Sequence, residues 1–394
     1  MFMRLHFPTT GFKLIESSQL IEEEEWEWYK PEEFYPVRIG EIFKSQYQVV
    51  GKLGYGAYGT TWLCRDLLDH KYITLKIGTP KALEGELRAL NYLKTIKTKN
   101  PASLLVRRLL DEFQVDGEKG KFQCVVHPPL ATSVAALRSM FPGRAIPINL
   151  TKLILVHLLL SLNFFHTEAK MVHTDIQESN ILLGMNEETT KQDLNNFEKA
   201  ELTSPTARKV DGSRVIYISR PLVPPRYDYG RPVLCDFGEA RFGEYDNSAD
   251  IQPYQYRAPE VIFDIPWDEK VDIWSVGAMV NLGPAWERKF VTGGPENIQD
   301  TVFHLAHMIA LLGPPPKDFL RRTTQDRLWG WFDENGNWRG GAVIPKGNLE
   351  DAEKQLQGEE KVLFLNFARR MLKWKPEERS SAGELLSDPW LNMR

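Results

Sequence analysis

The sequence predicts an α+β fold of two lobes, a small β-rich front half followed by a large helical rear half. Two observations carry this expectation. Short β-rich runs joined by tight turns follow one another from Tyr47 to Ile77, whereas the runs after Leu150 have helical spacing. The length, 394 residues, allows two average domains or one large fold made of two lobes.

In chain order, Tyr47 to Leu53, Thr60 to Asp66 and Tyr72 to Ile77 read as strands of an antiparallel sheet, because turn residues separate them. Pro80 to Lys94 reads as a helix, with Leu83, Leu87, Leu90 and Leu93 at helical spacing. Phe122 to Val126 is one further strand. Helices are expected at Leu150 to His166, Lys270 to Val280, Asp300 to Leu312, Lys361 to Leu372 and Ala382 to Leu386. The expected organisation is an N-terminal extension over 1–36, a β-rich lobe and linker over 37–130, and a helical lobe over 131–394. Residues 186–231 lack a sustained period, hold several prolines and read as an insertion that docks a partner or simply loops out, with a short strand at Ile216-Tyr217-Ile218. Glu22 to Glu25, with Glu27, Glu32 and Glu33, form an acidic stretch. It reads as a solvated segment ahead of a docking one, although Trp26, Trp28 and Tyr29 suggest that part of it packs on the body of the protein.

Composition excludes several classes. Hydrophobic content of 42% and charged content of 26% are ordinary for a globular chain, and a net charge of −4 argues against a general nucleic-acid binder. Cys64, Cys124 and Cys235 are too few and too scattered for a disulfide framework or metal site, which favours a reducing compartment, the cytosol or nucleus. The longest apolar run, Leu153 to Leu162, is shorter than the roughly 20 residues a membrane span needs, so a buried helix is expected and no membrane association. Residues 1–20 lack the apolar core of a signal peptide; a mitochondrial leader is a secondary reading, because Arg4 and Lys13 are the only charges before Glu16.

Gly54-Tyr-Gly56-Ala-Tyr-Gly59 lies between two expected strands. A dinucleotide site would need a helix directly after the glycines, but Thr60-Thr61-Trp62-Leu63 returns into a strand. Backbone bare of side chains at such a turn approaches phosphates closely, although glycine triplets also occur in plain hairpins. Lys76 follows Ile73-Thr74-Leu75. It reads either as an exposed strand lysine or as a cation aimed at phosphates and held by a carboxylate of the next helix, Glu86 first and Glu84 second.

Farther on come His173-Thr-Asp175-Ile-Gln-Glu-Ser-Asn180-Ile-Leu, Leu234-Cys-Asp236-Phe-Gly238, Ala258-Pro-Glu260 and Asp272-Ile-Trp274. With the glycine turn and strand lysine they resemble, in order, the motif set of the protein kinases. The resemblance implies the two-lobed protein-kinase fold, a serine/threonine kinase activity, ATP as phosphoryl donor and Mg²⁺. It assigns Asp175 as the base for the substrate hydroxyl, Lys76 and Glu86 as the phosphate-binding ion pair, and Asn180 and Asp236 as metal ligands. Leu53, Gly54, Gly56, Gly59 and Thr61 would enclose ATP, and the carbonyl of Pro128 and N–H of Leu130 would meet its adenine. Phe237 would pack beneath the helix of Glu86, Glu260 would pair with Arg379, and Asp272 would brace the catalytic loop.

His173-Thr-Asp175-Ile, Asp250-Ile-Gln-Pro253, Tyr256-Arg-Ala-Pro-Glu260, Ala310-Leu-Leu-Gly-Pro-Pro-Pro316 and Tyr35-Pro-Val-Arg-Ile-Gly40 further resemble the SR-protein kinases, especially compact fungal-type members, over roughly Tyr35 to Arg394. That implies a basic arginine-serine-rich protein substrate and a monomer. Thr174 stands where many kinases have an arginine that pairs with an activation-loop phosphate, so activity without that phosphate is expected. Three departures stand out. Gln177 replaces the usual lysine beside the transferring phosphoryl group, a preorganised donor whose loss typically costs roughly 10²–10³ in rate. Gly283-Pro284 should end a helix that family members continue. Thr61 stands for a valine. Gln177 and the broken helix motivate a rival reading, a pseudokinase scaffold; a small-molecule kinase is disfavoured by Ala258-Pro-Glu260.

Overall fold

The computed structural model describes residues 3–79, 82–118, 120–186, 188–223, 228–244, 246–280, 298–324, 328 and 330–393. The expected helix break at Gly283-Pro284 lies outside the described residues. Two compact units divide the chain: the first is Met1–Lys97, Val106–Ser133 and Leu182–Gly238, the second Thr98–Leu105, Val134–Ile181 and Glu239–Arg394.

The first unit is built on a six-stranded antiparallel sheet in the order β2-β3-β4-β5-β7-β6. Its strands are β2 (Ile42–Phe43), β3 (Tyr47–Gly56), β4 (Gly59–Asp66), β5 (Lys71–Gly78), β6 (Asp111–Gly117) and β7 (Gly120–His127). Successive side chains along a strand face opposite ways, and here both faces are covered. Val49, Cys64, Ile73 and Val126 lie in one apolar cluster, and their neighbours Val50, Leu63 and Tyr72 lie in another. Burial on both sides is why these strands read as nearly continuous apolar runs rather than as an alternation. Helix α1 (Glu84–Thr95) follows β5.

The segment expected as an insertion folds with this sheet. Helix α4 (Thr190–Thr203) lays Leu194 and Phe197 on Val50, Leu63 and Tyr72. Hairpin β10 (Arg208–Asp211) and β11 (Arg214–Tyr217) follows, and β1 (Leu14–Ile15) from the N-terminus pairs with β10 in parallel. The acidic stretch is likewise not a solvated segment throughout: Glu23 and Glu24 in the 3₁₀ turn Glu22–Glu25 are buried, whereas Glu25 and Glu27 are exposed. Buried lysines from distant parts of the chain explain the difference. Lys52 pairs with Glu23 and lies 3.3 Å from Glu22, while Lys209 lies 2.7 Å from Glu24.

The second unit is helical. Helix α3 (Ile148–Phe164) runs into a wider turn at Phe165–Ala169 and ends at Lys170 in left-handed backbone. These 22 residues are long and apolar enough for a membrane span, unlike the shorter run expected from sequence. They form a core helix here, with Leu155, Leu158, Leu159 and Leu162 buried. Helix α6 (Lys270–Val280) is buried on nearly every side. A Cβ at Gly277 would come within 2.9 Å of Met371 Cβ, so glycine there admits the helix Gly358–Met371 at close range. The helices Ile298–Leu312 and Ala382–Leu386 complete the expected set.

Candidate active site

The motif residues gather into two clusters, one in each unit. In the first, Lys76 is carried by β5 and Glu86 by α1, and their Nζ and Oε2 atoms are 2.7 Å apart. Glu84 is exposed, so the structure selects Glu86. Burial on its own would lower the Lys76 pKa, but the Glu86 and Asp236 carboxylates outweigh it and hold the ammonium above its ordinary value. Lys76 is therefore a fixed cation. Asp236 sits in left-handed backbone (φ 63°) and accepts a 3.4 Å hydrogen bond from Gly238 N–H, while Phe237 is fully buried. A Cβ at Gly85 would stand 2.5 Å from the Gly238 carbonyl oxygen, so this helical glycine lets α1 lie against the Asp236-Phe237-Gly238 turn.

His127, which sequence reasoning assigned no role, closes the back of this cluster. Its Nδ1 is 2.8 Å from the Arg108 carbonyl oxygen and its Nε2 is 4.0 Å from Glu86 Oε1. Burial, with the nearby Arg107 cation, pushes the His127 pKa well below its usual value, so the ring is neutral and Nδ1–H donates to the carbonyl. Cys235, just before Asp236, is an inert thiol because burial pushes its pKa up to about 12.

The glycines of the β3–β4 turn divide into two kinds. A Cβ at Gly59 would lie 2.4 Å from the Ile77 carbonyl oxygen, so the sheet itself demands glycine there. Nothing lies within 4 Å of a Cβ at Gly54 or Gly56. Among the described residues no packing reason for glycine exists at those two, which suits a cradle that a bound phosphate would fill. Leu53 belongs to β3 and Thr61 to β4, opposite Lys76 of β5. Past β7, Ala131 N–H donates to the Leu183 carbonyl, but the Pro128 carbonyl and Leu130 N–H have no hydrogen-bond partner among the described residues. Those are the two groups that the family resemblance implies for adenine.

In the second cluster, β8 (Met171–Val172) leads into His173 and Thr174. Asp272 of α6, fully buried, accepts hydrogen bonds from His173 N–H (2.9 Å) and Thr174 N–H (2.8 Å) and is 2.9 Å from His166 Nε2. Thr174, at φ 65°, donates its hydroxyl to the Glu239 carbonyl at 2.7 Å. Asp175 then receives two amide donors, Gln177 Nε2 on Oδ1 at 2.8 Å and Asn180 Nδ2 on Oδ2 at 2.7 Å. Gln177 thus supplies a donor but no charge. Arg138 of α2 (Val134–Met140) forms a buried two-pronged pair with Glu178, bracing the loop from a residue that carried no sequence signal. The Asn180 side-chain oxygen in the second unit and the Asp236 carboxylate in the first are each donors of the type a hard cation such as Mg²⁺ takes.

Glu260 and Arg379 meet in a bidentate pair, both distances 2.6 Å, with neither side chain exposed. Gln252, quoted in the sequence within Asp250-Ile-Gln-Pro253 but given no role there, is buried. Its amide donates to the Val271 carbonyl and Ser275 Oγ and accepts from Ala258 N–H, tying the Ala258-Pro259-Glu260 segment to α6.

A glycine-rich strand turn, an ion-paired strand lysine and an aspartate–asparagine catalytic loop define the class of protein kinases, and comparisons agree. The protein kinase domain family matches residues 227–391. A kinase-domain crystal structure superposes with a TM-score of 0.66 at 22% identity, covering 91% of this chain and 99% of that one, which establishes the fold. A serine/threonine protein kinase of Aspergillus fumigatus is 42% identical over 97% of this chain and 94% of its own length. The serine/threonine-protein kinase SRPK of Physarum polycephalum is 29% identical over 94% of this chain and 91% of its own length, and SRSF protein kinase 3 of Mus musculus is 22% identical over 91% and 88%. The chain belongs to the serine/threonine protein kinases of the SRPK-like family, which use ATP and Mg²⁺ and act on proteins.

Proposed function

We propose that this kinase transfers the γ-phosphoryl group of ATP to serines in arginine-serine-rich segments of a protein substrate. Asp175 receives the serine proton as Oγ bonds to the γ-phosphorus and the bond to the β-bridging oxygen breaks, leaving phosphoserine and ADP. The observation that carries this reading is the Asp175 carboxylate, held by Gln177 and Asn180 in a loop fastened to Asp272. Lys76, oriented by Glu86, binds the ATP phosphates; Leu53, Gly54, Gly56, Gly59 and Thr61 enclose the nucleotide, and Pro128 and Leu130 meet adenine. Asn180 and Asp236 would hold Mg²⁺, which would supply positive charge to neutralise the phosphates. Gln177 donates to the transferring group as a neutral amide. The Thr174 hydroxyl on Glu239 orders the segment after Gly238 without a phosphate, so the enzyme is active unphosphorylated.

The substrate class rests on the SRPK and SRSF kinase relatives. A peptide of arginine-serine repeats, compared with one in which lysine replaces every arginine, tests it. Preference for arginine by about tenfold or more in kcat/KM supports the class, since lysine cannot make arginine's bidentate contacts. Equal use of both peptides contradicts it. The scaffold reading is less favoured, because Lys76, Glu86, Asp175, Asn180 and Asp236 are all present.

A further inference from the structure

Lys52 stands on β3 two residues before Gly54, and only 1% of it is exposed. A buried ammonium persists only with close partners, and the acidic turn Glu22–Glu25 supplies them. Glu23 forms a close ion pair with Lys52 Nζ, and Glu22 stands 3.3 Å away. The same ammonium lies 5.2 Å from the ring centroid of Tyr55, the residue between Gly54 and Gly56. Glu22, Glu23 and Glu25 in turn act electrostatically on the Tyr55 hydroxyl. One cation therefore joins the tip of the glycine-rich turn to a segment about thirty residues upstream.

That segment is itself fastened. Two carboxylates against one ammonium leave an excess negative charge, and Ser219 answers it by donating its N–H (2.9 Å) and Oγ–H (2.5 Å) to Glu22. Arg220 N–H donates to the Lys52 carbonyl at 2.9 Å. Glu24 turns the other way, onto buried Lys209 at 2.7 Å and onto Ile21 N–H at 3.1 Å. Glu22 has φ 57°, a backbone state that a non-glycine residue keeps only where its surroundings over-determine it. On the neighbouring residue of β3, a Cβ at Gly51 would meet Phe197 of α4 at 2.9 Å, so the strand is gripped at two successive positions.

We propose that Glu22, Glu23 and Lys52 are positioning residues for the glycine-rich turn: the clasp holds Tyr55 and the backbone at Gly54 and Gly56 in place, and so sets how tightly ATP is bound. The proposal rests on the reading of that turn as the ATP phosphate cradle. None of the three residues touches the nucleotide; they act through Tyr55 and the strand.

The full chain is titrated with an N-methylanthraniloyl ATP analogue and Mg²⁺, alongside steady-state kinetics with an arginine-serine peptide and thermal melting. Tyr55→Leu removes the ring beside Lys52 but leaves Glu22 and Glu23 on the ammonium, so the buried charge keeps its partners and the clasp is tested at a partly exposed position. It is expected to raise the analogue Kd and the KM for ATP about 3–10-fold, in keeping with a lost cation–π contact, with melting temperature and peptide KM unchanged. Tyr55→Phe, which keeps the ring, should retain wild-type values. The pair Glu22→Gln with Glu23→Gln should raise the same two constants more, and should lower the melting temperature as well. Nucleotide affinity within twofold of wild type in Tyr55→Leu overturns the proposal, even if the double variant fails to fold. Saturable binding by wild type that is unaltered in the variants overturns the clasp alone. Absence of binding by wild type overturns the cradle reading beneath it.

Discussion

Gly54 and Gly59 belong to one turn, but physical chemistry asks different things of them. At Gly59 a methyl would press on the Ile77 carbonyl oxygen at 2.4 Å, within the ladder that joins β4 to β5. At Gly54 a methyl would meet only open space. Gly59→Ala is therefore expected to destabilise the first unit by about 1–3 kcal/mol, as overpacking does, while Gly54→Ala leaves stability within about 0.5 kcal/mol and instead weakens ATP binding. Melting curves with and without MgATP separate the two: Gly54→Ala should lose the upward shift given by nucleotide, and Gly59→Ala should start from a lower melting temperature. Equal behaviour of the two variants would remove the distinction. At this scale the site was largely legible in sequence, because chemistry places Asp175, Asn180 and Asp236 in short local strings. The choice of Glu86 over Glu84 was not settled there, since it depends on which carboxylate faces the sheet. His127 and Arg138 were assigned no role, and Gln252 stood in a family motif without one, because each acts on a partner distant along the chain: Arg138 reaches Glu178 and Gln252 reaches Val271 and Ser275.

The elements follow the same logic of local and distant information. Strands β3, β4 and β5 were legible from apolar runs and turns. Strand β6 was missed, although Phe113 and Val115 alternate with polar residues, because Asp111, Glu112 and Asp116 make it read as a charged loop. Helix α4 was hidden for a different reason. Leu194 and Phe197 are the large apolar residues it buries, too few to mark a period, yet they cover one face of the sheet. The acidic turn looked solvated because Lys52 and Lys209, which neutralise it, are remote in sequence. If α4 is a structural layer rather than a loop, Phe197→Ala should cost about 3–5 kcal/mol in the first unit. Amide hydrogen exchange at residues 47–52 should quicken with it. Exchange and denaturation unchanged from wild type would mean that the sheet does not need this helix.

Across the whole molecule, ion pairs occur both at the surface, as Lys30–Glu33 and Arg369–Glu350 do, and in the interior. Glu260–Arg379 is wholly buried in the second unit and Lys52–Glu23 in the first. Neither involves Asp175, so the structure separates the groups that brace the scaffold from those proposed to do the chemistry. The proposed transfer calls on Lys76, Glu86, Asp175, Asn180 and Asp236. Its least usual feature is Gln177, whose amide already donates to Asp175 at 2.8 Å. The measurement that tests the central claim most directly is transfer of labelled γ-phosphate from MgATP to an arginine-serine repeat peptide by wild type, Asp175→Ala and Gln177→Lys. Transfer by wild type should fall about 10²–10⁴-fold in Asp175→Ala, the range for a lost general base, and should quicken about tenfold or more in Gln177→Lys, within what a restored charged donor can supply. Undiminished transfer by Asp175→Ala, or silence of wild type and Gln177→Lys alike while ATP still binds, would contradict the account.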